Sequence, residues 1–377
     1  MSLSKRRLWW GVTWSIGLIV VAMMLHLALE WRQALDNIAA MIVTPVTLPA
    51  PTISTSTVDL TPTPSPFSAL SAPTVLPDSA TESTAGHAVA GVSPSLSPQR
   101  PLPDSPLNVL LLGTDAQPDE GSVSRTDAVI LIHLDRKNDR VSMLSIPRDL
   151  WVTYPGNGQG RVNAAYAVGE KKYGRGGGIA LARATIEELL GLTIDHCAVV
   201  NFEGFRELIN LMGGITIDVP TFIKDTKYPT ENYGTMTVTF RAGRQHMDGD
   251  RALIYARTRH ADSDFGRNQR QQQVLLAMFH RVQQLGLLRQ LTSFDDYTGA
   301  LREHVRTDMP RRTMLELAQW GRNLKQTDIH RYAIDSKVIY ELKEPATFAV
   351  RPGELQRIVG QFTGTTRSVS GLIQSDD

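Results

Sequence analysis

Between Arg241 and Arg270 the chain carries seven arginines and four aspartates within thirty residues. The centre of this block reads Tyr255-Ala-Arg-Thr-Arg-His-Ala-Asp-Ser-Asp-Phe-Gly-Arg-Asn-Gln-Arg-Gln-Gln-Gln273. Guanidiniums grouped this densely serve either a structural ion-pair network or the capture of an anion of high charge density. A pyrophosphate meets the second need, because its oxygens accept bidentate, charge-assisted hydrogen bonds from several arginines at once. Carboxylates close by would suit Mg²⁺, which takes one or two of them together with substrate phosphates. The chemistry of such a grouping is phosphoryl transfer.

Two helices have to position the block. Asp248 is a suitable N-cap for a helix over Gly249–Ala256. If the chain then extends, Arg257 and Arg259, two apart, project the same way. Asp264 is read as the cap of a second helix running to about Leu285, on which Arg267, Gln271, Val274 and Met278 fall at i, i+4, i+7 and i+11. Basic and amide groups thus continue an apolar stripe and point inward.

The carboxylates come from further upstream. Asn108–Leu112, Ala128–Leu134 and Arg140–Ile146 read as strands, the last two joined by the polar turn Asp135–Asp139. An antiparallel meander of the three brings Asp115, Asp127 and Arg148 to one edge of the sheet. Taken singly, Asp115 also reads as a turn former and Arg148 as an edge cover. Downstream, a helix at Gly177–Leu190, a strand at Cys197–Phe202, a short helix at Phe205–Met212 and a strand at Ile215–Val219 alternate. The expected fold class is α/β, a mixed-sheet α-β-α sandwich. Helical stretches at Thr313–Leu324 and Gly353–Gln361 carry no catalytic signal, so residues 287–377 are expected to form an accessory region. The glycines Gly174 and Gly176–Gly178 lack the Gly-Lys-Ser/Thr of a P-loop and read as a turn. His196, His246 and His260 are not at metal-ligand spacings.

The front of the chain is a different material. Leu8–Leu29 is an uncharged run of 22 residues, about 33 Å as a helix, preceded by Lys5, Arg6 and Arg7. Residues 1–7 are expected to be cytoplasmic and residues 8–29 a retained signal anchor, placing the remainder of the chain outside a cell membrane. The run is longer than the apolar region of a cleaved signal peptide. Residues 30–106 read as a linker. From Thr44 to Pro106 they hold 13 of the chain's 21 prolines, 21 Ser/Thr and one aromatic, Phe67, the composition of a disordered stalk. With 39 Lys+Arg against 38 Asp+Glu the net charge is +1, which speaks against a nucleic-acid partner. Thirty of those basic residues are Arg, the side chain suited to bidentate recognition of phosphate and carboxylate. A single cysteine, Cys197, excludes an internal disulfide.

Five segments in order carry a resemblance: Asn108-Val-Leu-Leu-Leu-Gly-Thr-Asp115, Arg125-Thr-Asp127, Ser145-Ile-Pro-Arg-Asp149, Arg161-Val-Asn-Ala-Ala-Tyr166 and Tyr255–Gln273. Together they resemble the LytR-CpsA-Psr family of cell-wall glycopolymer transferases, with residues 107–286 as the catalytic domain. The resemblance implies transfer of a glycopolymer, with its linking phosphate, from a polyprenyl-pyrophosphate carrier to a hydroxyl of peptidoglycan or another wall glycan. It implies an apolar tunnel for the lipid, and Mg²⁺ (or Mn²⁺) at Asp115 and Asp127. Arg125, Arg148, Arg257, Arg259, Arg267 and Gln271 match pyrophosphate-binding positions, with Asp115, Asp127 and Arg125 nearest the chemistry and Asp264 orienting the arginines. Two departures stand out: Gln117 where the family often has Arg, and Ala128 where it usually has Thr. A polyprenyl-pyrophosphate hydrolase would use the same residues. A wall- or lipid-binding module and a transcriptional attenuator are the non-enzymatic alternatives. The last would need a basic face and a groove-entering element, neither of which the chain displays.

Overall fold

The computed structural model describes residues 32–34, 36–44, 46–48, 105–115, 125–230, 234–259, 263–292, 299, 301–343 and 347–365. The expected tail and anchor (1–29), and the linker from 49 to 104, lie outside the described residues. Among the described residues no helix is long and apolar enough to cross a membrane.

Strands β1 (Leu107–Thr114), β2 (Thr126–Asp135) and β3 (Arg140–Ser145) are nearly continuous apolar runs, as expected of strands covered on both faces. They form the expected antiparallel meander, with Leu110 opposite Leu131 and Ile130 opposite Ser145. The β2–β3 turn is closed by Asp135, whose carboxylate accepts from the Asn138 backbone N–H at 3.2 Å and its side-chain amide at 2.6 Å. Short strands β4 (Trp151–Thr153) and β5 (Gln159–Arg161) pair with each other.

Residues 36–41 are helical and are labelled α1. The pair α2 (Ala165–Tyr173) and α3 (Gly177–Leu190) then leads to β6 (His196–Asn201), which lies parallel to β1. The glycine cluster is a turn and a close helix crossing. Gly174 and Gly176 have φ of 74° and 91°, and a Cβ on Gly177 would run into the backbone of Gly169. Next come α4 (Phe202–Leu211), β7 (Ile215–Val219), the hairpin β8 (Ile223–Pro229) and β9 (Thr235–Phe240), then β10 (Gly243–Met247), which pairs with β7. The two arginine-bearing helices come after these, α5 (Gly249–Arg257) and α6 (Asp264–Thr292).

The C-terminal region corrects one expectation. The described residues of 287–377 do not stand apart as an accessory unit. β11 (Val305–Thr307) pairs antiparallel with β6, and β12 (Ile329–Ala333) pairs parallel with β3. These two are the edges of the central six-stranded sheet, ordered β11-β6-β1-β2-β3-β12. Three residues in one case and the polar run Ile-His-Arg-Tyr-Ala in the other leave no alternating signature; pairing partners alone make them strands. α7 (Arg311–Gly321), the hairpin β13 (Ile339–Leu342) and β14 (Thr347–Val350), and α8 (Pro352–Thr363) complete the domain.

A second correction concerns the linker, whose first part is folded. Ala34, Ile38, Met41 and Val43 are buried, and the Val43 N–H donates to the Thr307 carbonyl of β11 at 2.7 Å. Ala34, Ile38 and Met41 lie at i, i+4 and i+7, an amphipathic face inconspicuous among charged neighbours.

Two apolar clusters result. The first joins one face of the sheet (Leu110, Leu112, Val129, Leu131, Leu144) to α3 and α8. The second joins α4, α5 and the β7–β10 and β8–β9 ribbons to the first half of α6.

Candidate active site

The meander brings its ends together at one edge of the sheet. Asp115 comes directly after β1, Asp127 is the second residue of β2, and Arg148 leaves β3 through Pro147. The Arg148 carbonyl accepts from Asn163 at 2.9 Å, which anchors the loop. Its guanidinium donates to Asp127 through Nη1 at 2.6 Å and to Asp149 through Nε at 3.3 Å, while Asp149 also pairs with Arg161 at 3.2 Å. Burial opposes the Arg148 charge, but Asp127 and Asp149 outweigh it and hold the guanidinium above its ordinary range. Asp115 is exposed. Partial desolvation, followed by the Asp127 carboxylate, raises its pKa, with Arg257 opposing.

The second contribution comes from α5 and α6. Asp248 caps α5 as expected, accepting from the Arg251 N–H at 2.8 Å. For α6 the capping oxygen belongs to Ser263, which accepts from Gly266 at 3.2 Å; Asp264 is the first helical residue instead. Asp264 pairs with Arg267 at 2.8 Å, one turn on. Arg267 is 4% exposed, and its Nε–H has no hydrogen-bond partner among the described residues. Burial, and then the nearby Arg148 charge, lower its pKa. Buried guanidinium N–H groups left without acceptors are costly unless an anion completes them.

These elements enclose a cavity of about 330 Å³. Leu111, Gly113, Ala128 and Ile130 line it from the sheet, Phe205 and Leu208 from α4, Leu253 and Ala256 from α5, and Val274, Leu275 and Met278 from α6. Its polar lining includes Asp127, Arg148, Arg257, Arg259, Arg267 and Gln271. Six of the nine residues singled out from sequence therefore meet in one cavity. Asp264 reaches it through Arg267, and Asp115 lies within electrostatic reach of Asp127 and Arg257. Arg125 is exposed, does not line the cavity, and acts electrostatically on Tyr154. Gln117 lies outside the described residues.

Sequence reading missed three contributors. Arg257 lies over the Phe202 ring at 4.4 Å and near the Tyr228 ring at 5.7 Å, cation–π contacts that orient it. Asp225, 1% exposed, accepts from the Arg259 backbone N–H at 3.2 Å. Only Asp225 left a trace in the sequence, since it shares the inward phase of β8 with Ile223. Among the described residues no group of three or more His, Cys, Asp or Glu is placed to hold a metal ion.

Fold and site define a mixed-sheet α/β domain with an apolar pocket capped by guanidiniums. A model of the LytR_cpsA_psr family matches residues 76–359, and the chain belongs to that family. Among curated relatives, the polyisoprenyl-teichoic acid–peptidoglycan teichoic acid transferase TagV of Bacillus subtilis (strain 168) is 38% identical over 182 residues, which cover 47% of this chain and 44% of TagV. The corresponding transferase TagT of the same strain is 31% identical over 226 residues, covering 59% of this chain and 66% of TagT. The regulatory protein MsrR of Staphylococcus aureus (strain Mu50) is 32% identical, covering 55% and 58%. The chain thus spans roughly half to two thirds of the length of these relatives. The crystal structure of B. subtilis TagV superposes with a TM-score of 0.56 at 28% identity, covering 71% of this chain and all of that one. TagT bound to LI-WTA superposes at 0.52 with 26% identity, covering 69% and 90%.

Proposed function

We propose that this chain is a membrane-anchored glycopolymer phosphotransferase. Its donor would be a polyprenyl-pyrophosphate-linked glycan and its acceptor a hydroxyl of peptidoglycan or another wall glycan. The observation that carries the reading is the cavity's two-sided chemistry: an aliphatic and aromatic interior suited to a prenyl tail, joined to four arginines suited to a pyrophosphate. The activity for which TagV and TagT are named supports the same reaction class.

In this reading Arg148, Arg257, Arg259 and Arg267 hold the pyrophosphate, and Gln271 adds amide hydrogen bonds. The acceptor oxygen attacks the phosphorus that carries the glycan. The bond from that phosphorus to the bridging oxygen breaks, and polyprenyl monophosphate leaves with the electron pair. The arginines stabilise charge growing on the leaving phosphate, so no proton need be delivered to it. Asp127 is committed to Arg148 at 2.6 Å, which leaves the exposed Asp115, within electrostatic reach of Asp127 and Arg257, to take the acceptor's proton. Where Mg²⁺ or Mn²⁺ is bound, Asp115 and Asp127 would instead hold it, with Asp115 a ligand rather than the base and the acceptor's proton passing to water; burial first and then the Asp127 charge raise Asp115, and a cation relieves the second. With no third acidic ligand among the described residues, such an ion would depend on substrate phosphates to complete its coordination. When bound, it would neutralise phosphate charge. Residues 8–29 would hold the domain at the outer membrane face, beside a lipid-borne donor.

The test is to incubate the purified chain with a polyprenyl-pyrophosphate oligosaccharide, wall glycan and Mg²⁺, and to analyse products by mass spectrometry. The expected product is acceptor carrying glycan plus phosphate, absent for Arg257→Ala and Asp127→Ala. Free glycan phosphate in the presence of authentic acceptor would instead make the protein a hydrolase.

A further inference from the structure

Arg257 and Arg259 sit where a helix stops. α5 ends at Arg257, and Thr258 turns the chain out with φ −54° and ψ 131°. Such a junction leaves backbone groups without helical partners, and here it is buried, Thr258 being 0% exposed. Two charged side chains from separate elements take up those groups. Arg270 of α6, 4% exposed, donates to the Thr258 carbonyl. Asp225 of β8 accepts the Arg259 backbone N–H through Oδ2 at 3.2 Å, while its Oδ1 accepts the Lys227 backbone N–H at 2.9 Å. The strand register shifts between Asp225 and Tyr228, so β8 supplies both this carboxylate and the phenol 3.5 Å from Arg257. Neither Asp225 nor Arg270 lines the cavity.

We propose that Asp225 and Arg270 are positioning residues for pyrophosphate capture. Clamping the Thr258–Arg259 peptide from two sides, they hold the Arg257 and Arg259 guanidiniums at the cavity before substrate arrives. Without these clamps the Thr258–Arg259 peptide would sample several directions, and the ordering entropy would then fall on binding. The proposal rests on the pyrophosphate reading of the cavity and adds the residues that make the site pre-organised.

The test compares the affinities of the full chain for geranylgeranyl pyrophosphate and for geranylgeraniol, which shares the tail and lacks the phosphates. The ratio isolates what the arginines contribute from what the apolar interior contributes. Asp225→Asn and Arg270→Lys should each lower the ratio about tenfold, the equivalent of one charge-assisted bond. Alcohol affinity of the folded protein should stay near wild type, while Tm should fall modestly because the buried Thr258–Arg259 peptide loses part of its hydrogen bonding. Equal loss for both ligands, or a lowered Tm with an unchanged ratio, would reduce the two residues to scaffolding and overturn the proposal. Should Arg270→Lys fail to fold, the near-isosteric Asp225→Asn decides alone. A wild-type ratio of one, or an unchanged ratio in Arg257→Ala, would refute the pyrophosphate reading itself. A ratio lost in Arg257→Ala but kept in both clamp variants would refute only the positioning.

Discussion

Neighbouring residues of β1 and β2 meet opposite environments. Leu110, Leu112, Val129 and Leu131 share one face of the sheet and pack into a closed core with Ile179, Ala182 and Ile186 of α3. Leu111, Gly113, Ala128 and Ile130 share the other face and look into a cavity. Both faces are apolar, so alternation does not distinguish them. The covering helix does. α3 meets its face with aliphatic side chains, aided by glycines that let α2 approach closely. α6 meets the other with a stripe that becomes Gln271 and Arg267 towards its N-terminus, groups that cannot fill aliphatic space without partners. The opposed pair Gly113 and Ala128 is also the smallest on that face, a Cβ on Gly113 lying only 3.0 Å from that of Ala128. Room for a ligand thus comes from withheld side-chain volume on the strands and misplaced polarity on the helix.

The largest effect should come from the packed face. Leu131→Ala should cost about 2–5 kcal/mol in urea unfolding, while the folded fraction binds geranylgeranyl pyrophosphate with unchanged affinity. Affinity falling in step with stability would mean that the two faces are not separable. Added volume should sort the faces in the opposite sense. Ala128→Leu should fill the cavity and weaken both prenol and prenyl pyrophosphate about tenfold, with stability within roughly 1 kcal/mol of wild type. Val129→Phe, one residue on but facing the closed core, should instead lose about 1–3 kcal/mol. If Ala128→Leu were the more destabilising of the two, the cavity would have to be reclassified as core. The smallest effect is electrostatic. Asp115 is held up first by burial and then by Asp127. Removing that negative charge in Asp127→Asn should move the Asp115 carboxyl titration, monitored by NMR, to lower pH without abolishing the whole shift. An unmoved titration would show that the two carboxylates do not communicate.

Much of this arrangement is legible in the sequence, for reasons that are local. The meander comes from three apolar runs and a turn rich in Asp and Asn. Its geometry alone sends Asp127 and Arg148 to one edge. The helical stripe Arg267, Gln271, Val274 and Met278 is periodicity, and all four residues line the cavity. The cap of α6 shifted by one residue, from Asp264 to Ser263, because adjacent residues with similar oxygen acceptors compete for the same N–H groups. Arg125, which the family resemblance places at the site, is exposed and off the cavity.

By itself the amino-acid sequence determined the central strands, the helices that carry the arginines, and the direction in which their side chains project, because each depends on periodicity within a few residues. Only the tertiary structure decided that Val305–Thr307 and Ile329–Ala333 are the sheet's edges, that Ala34 to Val43 pack onto the domain, and that one apolar face is closed while the other is hollow. It also decided that Asp225, some thirty residues before Arg259, holds its backbone. These outcomes depend on which distant segments meet, and burial energy is shared between partners whose match no local pattern records.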